Sequence, residues 1–269
     1  MSKIFITGSS DGLGLLSAQA LVKRGHSVYL HARNEARAQD ARRGCPEAQD
    51  VFVADLSSAA ETRRLAARLN ETGPWDAILH NAGIMRRRPG TPAGAATNEL
   101  FAVNTLAPYV LTCLVDPPPR RYVFLSSIMH TGGDGSLRNI ERADYSDTKL
   151  HNVMLACWFA RHLNRHDDDG SGDNYKKKEP AVSCCSLHPG WVPTKMGGAG
   201  ASDSIDKAVE MYVMLAEGRE PAGANRWDRN GKYWSGDRVR SPLPAALDEG
   251  TQERLVELLK GISGVSPPE

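Results

Sequence analysis

Several features that would assign a function at once are scarce in this sequence. Its five cysteines are odd in number and show no CxxC spacing, which argues for reduced thiols rather than disulfides or a zinc site. The formal net charge is only +1, so we expect neither nucleic acid nor an anionic membrane as a partner. The eight histidines lack HExxH-type spacing, and we therefore expect no metal.

Long hydrophobic runs are also missing. Apolar stretches such as 109–115 are far too short to cross a bilayer. A strand is predicted from Lys3 onwards, which leaves no space for a leader segment, so we expect a cytoplasmic location. The 269 residues are 41% hydrophobic and 24% charged. These values favour one globular domain over residues 1–269, because parallel α/β folds reach this size around one sheet.

Short β-branched runs alternate along the chain with longer segments of helical period. Strands are predicted at 3–7, 27–32, 50–54, 76–80, 121–126, 181–187 and, more weakly, 231–234. Helices are predicted at 13–24, 59–70, 97–115, 145–164, 204–217 and 245–262. This alternation predicts an α/β fold with a doubly wound parallel sheet of about seven strands and helices on both faces. Functional residues should then follow the carboxyl ends of the strands.

Two segments depart from this alternation. Residues 166–179 (HDDDGSGDNYKKKE) are polar and of low complexity, which predicts a flexible insertion. Residues 191–204 contain four small residues in a row at 197–200. We expect this second segment to form a substrate loop or lid.

A glycine-rich turn follows the first predicted strand and reads TGSSDGLG from Thr7 to Gly14. Glycines allow the backbone N–H groups to approach a pyrophosphate, and the start of the next helix adds partial positive charge. The position of this turn between a strand and a helix predicts a dinucleotide site. The expected contacts are Gly8, Ser9, Ser10, Gly12, Leu13 and Gly14.

The end of the second strand bears on the choice of cofactor. NAD enzymes place a carboxylate there for the ribose 2′-hydroxyl, but this sequence has Ala32 followed by Arg33 and Asn34. A guanidinium can bind a 2′-phosphate through two hydrogen bonds. The glycine turn argues against NADP(H), because it contains the acidic Asp11 and no basic residue. We predict NADP(H) in preference to NAD(H), with Arg33 and Asn34 as contacts.

Tyr145 and Lys149 form a YxxxK pattern at the start of a predicted helix. Residues four apart lie on one helix face, and a nearby ammonium favours the phenolate, so the pKa of Tyr145 is expected to be lowered. Such a phenol can exchange a proton with an alkoxide. Lys149 can also donate hydrogen bonds to the nicotinamide ribose, which would hold the hydride donor in place. Hydride transfer with Tyr145 as general acid and base is the predicted chemistry.

The TGxxxGxG turn and the YxxxK pair, in this order, resemble the short-chain dehydrogenase/reductase family over about residues 3 to 262. Ile128-Met129-His130 and the long interval between Ser127 and Tyr145 resemble its retinol dehydrogenases. The resemblance implies a Rossmann fold and an NADPH-dependent carbonyl reductase or alcohol dehydrogenase. It also implies further cofactor contacts at Asp55, Leu56, Asn81, Ala82, Gly83, Tyr145, Lys149, Pro189, Gly190, Val192 and Thr194.

The same resemblance assigns two more catalytic roles. Ser127, the second serine of a pair with Ser126, would polarise the substrate carbonyl, since only one of two adjacent strand residues can face the site. Asn104 would hold a water that relays protons from Lys149. Relatives often pair through the helices that carry Asn104 and Tyr145, so a homo-oligomer is possible here.

Other interpretations stay open at this point. A redox sensor or scaffold that binds NADP(H) without catalysis would not need both Tyr145 and Lys149. Sugar-nucleotide epimerisation and enoyl reduction are further enzymatic alternatives, although related epimerases generally have a longer C-terminal part. The substrate cannot be derived from fold-level analogy. Apolar residues near the expected pocket favour a lipophilic carbonyl or alcohol; they are Met85, Met129, Trp191 and Met196.

Overall fold

The computed structural model describes residues 1–86, 98–165, 181–219 and 230–269. They form one eight-stranded sheet in the order β3-β2-β1-β4-β5-β6-β7-β8. The strands are β1 Lys3–Ile6, β2 Ser27–Ala32, β3 Asp50–Val53, β4 Ala77–His80, β5 Arg121–Leu125, β6 Ser183–His188, β7 Lys232–Ser235 and β8 Arg238–Arg240. Strands β1 to β7 pair in parallel, and β8 pairs antiparallel with β7.

The predicted doubly wound sheet is confirmed, with each of the seven predicted strands within two residues of its observed bounds. The strand count was wrong, because the chain turns back at Gly236 and adds β8 at the edge of the sheet. All three residues of β8 are exposed. A strand of this length has no alternation of buried and exposed residues by which the sequence could reveal it.

The helices are α1 Gly12–Lys23, α2 Glu35–Gly44, α3 Ala59–Thr72, α4 Glu99–Phe101, α5 Ala107–Leu114, α6 Tyr145–His162, α7 Ile205–Glu217 and α8 Glu249–Ser263. Helix α2 was not predicted, because only Ala38 and Ala41 of its ten residues are buried. The helix expected at 97–115 is interrupted by a π-helical turn at Ala102–Leu106, and Thr97 lies outside the described residues. Among the described helices, none has the length and apolarity that a membrane crossing requires.

Two hydrophobic clusters lie on opposite faces of the sheet. Adjacent side chains of a strand point to opposite faces, so Phe5 packs in one cluster with α3, α5 and α6. Ile4 and Ile6 pack in the other cluster with α1, α2 and α7. All five cysteines are buried, and none of them forms a disulfide. The two covered faces leave the carboxyl edge of the sheet as the place for a ligand.

Helix α6 begins where the sequence predicts. The Asp144 carboxylate accepts a hydrogen bond from the Asp147 N–H at 2.9 Å, and the Asp147 carboxylate accepts one from the Asp144 N–H at 2.9 Å. This reciprocal capping box fixes the first turn of the helix. It places Tyr145 at the first helical position and Lys149 one turn later.

Candidate active site

A cavity of about 540 Å³ opens at the carboxyl ends of β1, β2, β4 and β5. Most of the residues predicted to bind the cofactor line it: Gly8, Ser10, Gly12, Leu13, Gly14, Arg33, Asp55, Leu56, Asn81, Ala82, Gly83, Tyr145, Lys149, Pro189 and Thr194. Most residues predicted to bind the cofactor therefore surround the same cavity. Other residues that line the cavity are Glu99, Val103, Lys195 and Met196.

The glycine turn packs closely against the end of β4. Gly8 has a φ of +62°, and a Cβ added to Gly14 would lie 2.5 Å from Asn81 Nδ2 and 2.7 Å from the Gly8 carbonyl oxygen. Asn81 Nδ2 donates to the carbonyls of Thr7, at 2.8 Å, and Gly8, at 3.0 Å. Side chains at these glycines would push the turn out of place. The N-terminus of α1 at Gly12 is thereby held at the cavity wall, where it can face an anion.

His31 secures the same turn from β2. Its Nδ1 accepts the Gly8 N–H at 2.9 Å, and its Nε2 lies 3.0 Å from the Ala54 carbonyl oxygen. A carbonyl can only accept, so Nε2 carries the proton and the ring is neutral. Burial lowers the pKa of His31 to about 4. Sequence analysis missed this residue, because no local pattern links β2 to Gly8.

Two arginines line the cavity beyond the end of β2. Arg33 and Arg37 both line it, and the second comes from the unpredicted helix α2. Arg37 Nη2 is 3.1 Å from the Asp11 carboxylate, and Lys195 forms a second ion pair with Asp11. These partners, Lys195 first, lower the pKa of Asp11 to about 2. The negative charge that argued against NADP is therefore matched by two cations.

The two serines after β5 have different environments. Ser126 is buried, and its Oγ donates to the Lys149 carbonyl at 2.7 Å. Ser127 is half-buried and accepts the Met129 N–H at 3.2 Å, and its hydroxyl is near enough to the Tyr145 hydroxyl to lower the Tyr145 pKa. Ser127 is thus placed near Tyr145, while the Ser126 side chain is committed to the backbone of α6. Of the two serines it is Ser126 that lines the cavity, and the predicted catalytic residues Ser127 and Asn104 lie outside its lining.

Lys149 is fully enclosed beneath the tyrosine ring. Its Nζ donates to the Leu125 carbonyl at 2.8 Å and lies 5.4 Å from the centre of the Tyr145 ring. Burial lowers the pKa of Lys149 to about 8. The expected lowering of the Tyr145 pKa was wrong in direction for the protein alone. Burial raises the pKa of Tyr145, with the Ser127 hydroxyl acting the other way.

Asn104 lies in the π-helical turn, a feature frequent at functional sites. Its Oδ1 accepts the Ile84 N–H at 2.8 Å, while its Nδ2 donates to the Ile84 carbonyl at 2.8 Å and to Thr148 Oγ1 at 3.1 Å. A Cβ on Gly83 would contact both Lys149 Nζ, at 3.2 Å, and Asn104 Oδ1, at 3.5 Å. Asn104 therefore lies close to Lys149 and joins the neighbouring Thr148 to Ile84, in the chain after β4.

Four predicted cofactor contacts do not line the cavity: Ser9, Asn34, Gly190 and Val192. The Ser9 hydroxyl donates to the Ile6 carbonyl and accepts the His31 N–H. Asn34 caps α2 by accepting the Arg37 N–H. Gly190 packs against Asp203, and Val192 is buried. These four residues therefore make contacts within the protein instead of facing the cavity.

The loop 191–204 closes on itself at its two ends. The Asp203 carboxylate accepts the Trp191 N–H at 2.6 Å, and the Asp203 N–H donates to the Trp191 carbonyl at 2.9 Å. Helix α7 follows this loop, and its Tyr212 hydroxyl donates to Asn81 Oδ1 at 2.8 Å at the cavity wall. Tyr212 is a second residue that the sequence patterns did not reveal.

The family model described as short chain dehydrogenase matches residues 2–166. The chain belongs to this family. It is 42% identical to the oxidoreductase AN7799 of Emericella nidulans, over 100% of this chain and 99% of that protein. It is 39% identical to the short-chain dehydrogenase chyC of Penicillium rubens, over 100% of both.

A more distant relative supports the resemblance to retinol dehydrogenases. Human retinol dehydrogenase 13 is 27% identical over 98% of this chain and 85% of its own length. Among solved structures, a protein from Mycobacterium paratuberculosis has a TM-score of 0.75 at 21% identity, covering 100% of this chain and 96% of its own. The Pseudomonas aeruginosa RhlG/NADP complex has a TM-score of 0.65 at 20% identity, covering 88% and 94%. The chain is a short-chain dehydrogenase, and its reaction class is that of an oxidoreductase.

Proposed function

We propose that this protein is an NADPH-dependent carbonyl reductase, able to act in reverse as an alcohol dehydrogenase. The observation that carries the proposal is that Tyr145 and Lys149 line the same cavity as the glycine turn and Arg33. Ser127 adds a second hydroxyl near Tyr145, where it lowers the Tyr145 pKa. A proton donor is thereby set beside a dinucleotide groove.

The cavity suits a phosphorylated dinucleotide along its length. The cradle formed by Gly8 and Gly14 has no space for a Cβ, which is what close approach of a pyrophosphate to the backbone requires. Arg33 and Arg37 are candidates to hold the 2′-phosphate, since guanidinium groups bind phosphate through two hydrogen bonds. When bound, NADPH would supply the hydride for the carbonyl carbon. The NADP complex of RhlG, a protein of similar fold, is consistent with this choice.

In this proposal Tyr145 is the proton donor for reduction. Its raised pKa keeps the phenol protonated at neutral pH, the form that can give a proton to the developing alkoxide oxygen. Ser127 donates a hydrogen bond to the same oxygen. As the Tyr145 O–H bond breaks, the Lys149 ammonium stabilises the phenolate that remains.

Lys149 is also suited to restore the proton. Its pKa of about 8 allows it to lose and regain a proton close to neutral pH. Asn104, which lies close to Lys149, would hold the water that connects this amine to solvent. The reduction then balances, because one hydride and one proton convert the carbonyl to an alcohol.

Exposed apolar residues in the segments that follow β5 and β6 favour a lipophilic substrate. Ile128, Met129 and Trp191 are 52%, 46% and 54% exposed, although apolar side chains of this size are normally covered. Met85 and Met196 are exposed too, and Met196 lines the cavity. Exposed apolar groups around a pocket mark a surface for an apolar ligand. A bulky ketone or aldehyde would cover them.

The test is a turnover assay with purified protein. NADPH and NADH are first titrated by fluorescence, and a panel of lipophilic ketones and aldehydes is then screened for loss of nicotinamide absorbance. Tyr145→Phe should retain NADPH binding and lose turnover. Tyr29→Phe is the matched control, because the Tyr29 ring packs on Phe52 and Trp75 instead of lining the cavity. Full turnover by Tyr145→Phe would refute the mechanism, and NADPH binding without turnover across the panel would favour a sensor.

A further inference from the structure

The turn that carries Ser127 is fastened by one histidine. Ser127 precedes a short 3-10 helix, Ile128–Gly132. The Ser127 carbonyl accepts the His130 N–H at 3.1 Å and lies 2.7 Å from His130 Nδ1. The backbone of the serine therefore has two contacts with the same residue, one from its main chain and one from its ring.

The other ring nitrogen of His130 reaches a distant part of the chain. The Leu243 N–H donates to Nε2 at 3.1 Å. A backbone N–H can only donate, so Nε2 is the acceptor and the proton is on Nδ1, which donates to the Ser127 carbonyl. The ring has no exposed surface, and its centre lies 4.6 Å from that of Tyr233 on β7. A single neutral tautomer of His130 therefore makes both hydrogen bonds, one through each ring nitrogen.

The segment at Leu243 is itself firmly placed. It leads into the 3-10 helix Pro244–Ala246, whose Ala246 carbonyl accepts a bond from Gln252 Nε2 at 2.7 Å. A Cβ on Gly135 would lie 2.6 Å from the Ala245 Cβ, so the loop after the serine is in close contact with this segment. His130 thus joins the serine turn to an anchored part of the C-terminal region.

We infer that His130 is a positioning residue for the proposed reduction, holding Ser127 in register with Tyr145 by linking the Ser127 carbonyl to the Leu243 N–H. This role rests on the proposed function, because it acts through Ser127. Displacing a catalytic group by about 1 Å can lower a rate by about 100-fold. His130 lies outside the residues that line the cavity, so its loss should affect the chemical step and leave NADPH binding unchanged.

Three substitutions distinguish the effects of the two His130 hydrogen bonds, one to Ser127 and one to Leu243. His130→Phe keeps the ring and its packing on Tyr233 but removes both bonds. His130→Asn places an amide where Nδ1 was and retains the bond to Ser127, while His130→Gln extends further and retains the bond to Leu243. We expect kcat to fall about 10- to 100-fold in His130→Phe, with an unchanged Kd for NADPH. His130→Asn should recover more of kcat than His130→Gln.

The controls distinguish this inference from the proposal on which it rests. Thr131→Val removes a side-chain bond to Ile128 in the same exposed turn and should leave kcat unchanged. If Ser127→Ala retains full kcat, the serine has no catalytic role and the proposed mechanism fails. If Ser127→Ala is impaired but His130→Phe is not, only the inference fails. Should His130→Phe not fold, equal kcat values for His130→Asn and His130→Gln would overturn the inference.

Discussion

Two regions around the active site are built in different ways. At the glycine turn, polar groups are matched to the backbone of neighbouring strands, as in the bonds of Asn81 to Thr7 and of His31 to Gly8. Beyond β5, side chains such as Ile128 and Trp191 are apolar and half exposed. We refer to these regions as the cofactor end and the substrate end. A prearranged polar cradle suits one fixed ligand. Exposed apolar groups contribute to the free energy of binding only when a ligand covers them.

Lys149 lines the cavity beside Tyr145, and its replacement should have the largest effect. Lys149→Met removes the buried ammonium beside Tyr145 while preserving side-chain length. We expect kcat to fall about 1,000-fold, the scale of general acid–base catalysis, because the phenolate loses its counter-charge. Steady-state kinetics measures this effect, with Lys207→Met on the exposed face of α7 as the control. A loss below tenfold would show that the amine does not take part.

The cofactor end should determine the choice between the two dinucleotides. In the double variant Arg33→Ala/Arg37→Ala, NADPH should bind about 100-fold more weakly, since hydrogen bonds to charged groups are each worth about 1.5–3 kcal/mol. NADH lacks the 2′-phosphate, so its Kd should stay the same. Fluorescence titration of both dinucleotides gives the comparison. Equal weakening of both would mean that the arginines serve the fold instead of the phosphate.

His31 should make the cofactor end sensitive to acid. Its pKa is near 6.5 when unfolded and about 4 when folded, so folding favours the neutral ring. This stabilisation is complete above pH 6.5 and is lost as pH falls towards 4. By pH 5 the loss from this group should reach roughly 2 kcal/mol. Urea unfolding at pH 7 and pH 5 should show a smaller change in His31→Asn, and an identical change would contradict the assignment.

The substrate end should respond in KM alone. Met129→Gln keeps the side-chain length but makes its exposed end polar. We expect KM for a lipophilic carbonyl to rise about tenfold, in line with about 0.8 kcal/mol for each covered methylene. The Kd for NADPH should not move. If KM rises equally for a small polar aldehyde, Met129 does not contribute apolar contact.

Local patterns predicted much of this site, because its central residues lie close together along the chain. The turn from Gly8 to Gly14 and the pair Tyr145 and Lys149 are each set by one strand–helix junction. The capping residues Asp144 and Asp147 support the second junction. Such features follow from spacing and helical geometry alone.

The site residues that the sequence did not reveal contact their partners only in the folded chain. Arg37 lies on a helix with just two buried alanines, which gives no apolar period. His31 and Tyr212 reach their partners across strands or between remote segments. The direction of the Tyr145 pKa shift was also missed, because burial raises this pKa more than the Ser127 hydroxyl lowers it. Burial depends on tertiary packing and cannot be read from the spacing of two residues.

The most direct test of the central claim is isotope transfer. Wild-type protein is incubated with NADPH carrying deuterium at the transferable C4 position and with the best carbonyl compound of the screen. The account predicts an alcohol with deuterium on the carbinol carbon, detected by mass spectrometry, and almost no product with Tyr145→Phe. An alcohol without deuterium, or equal product from Tyr145→Phe, would contradict hydride transfer at this site.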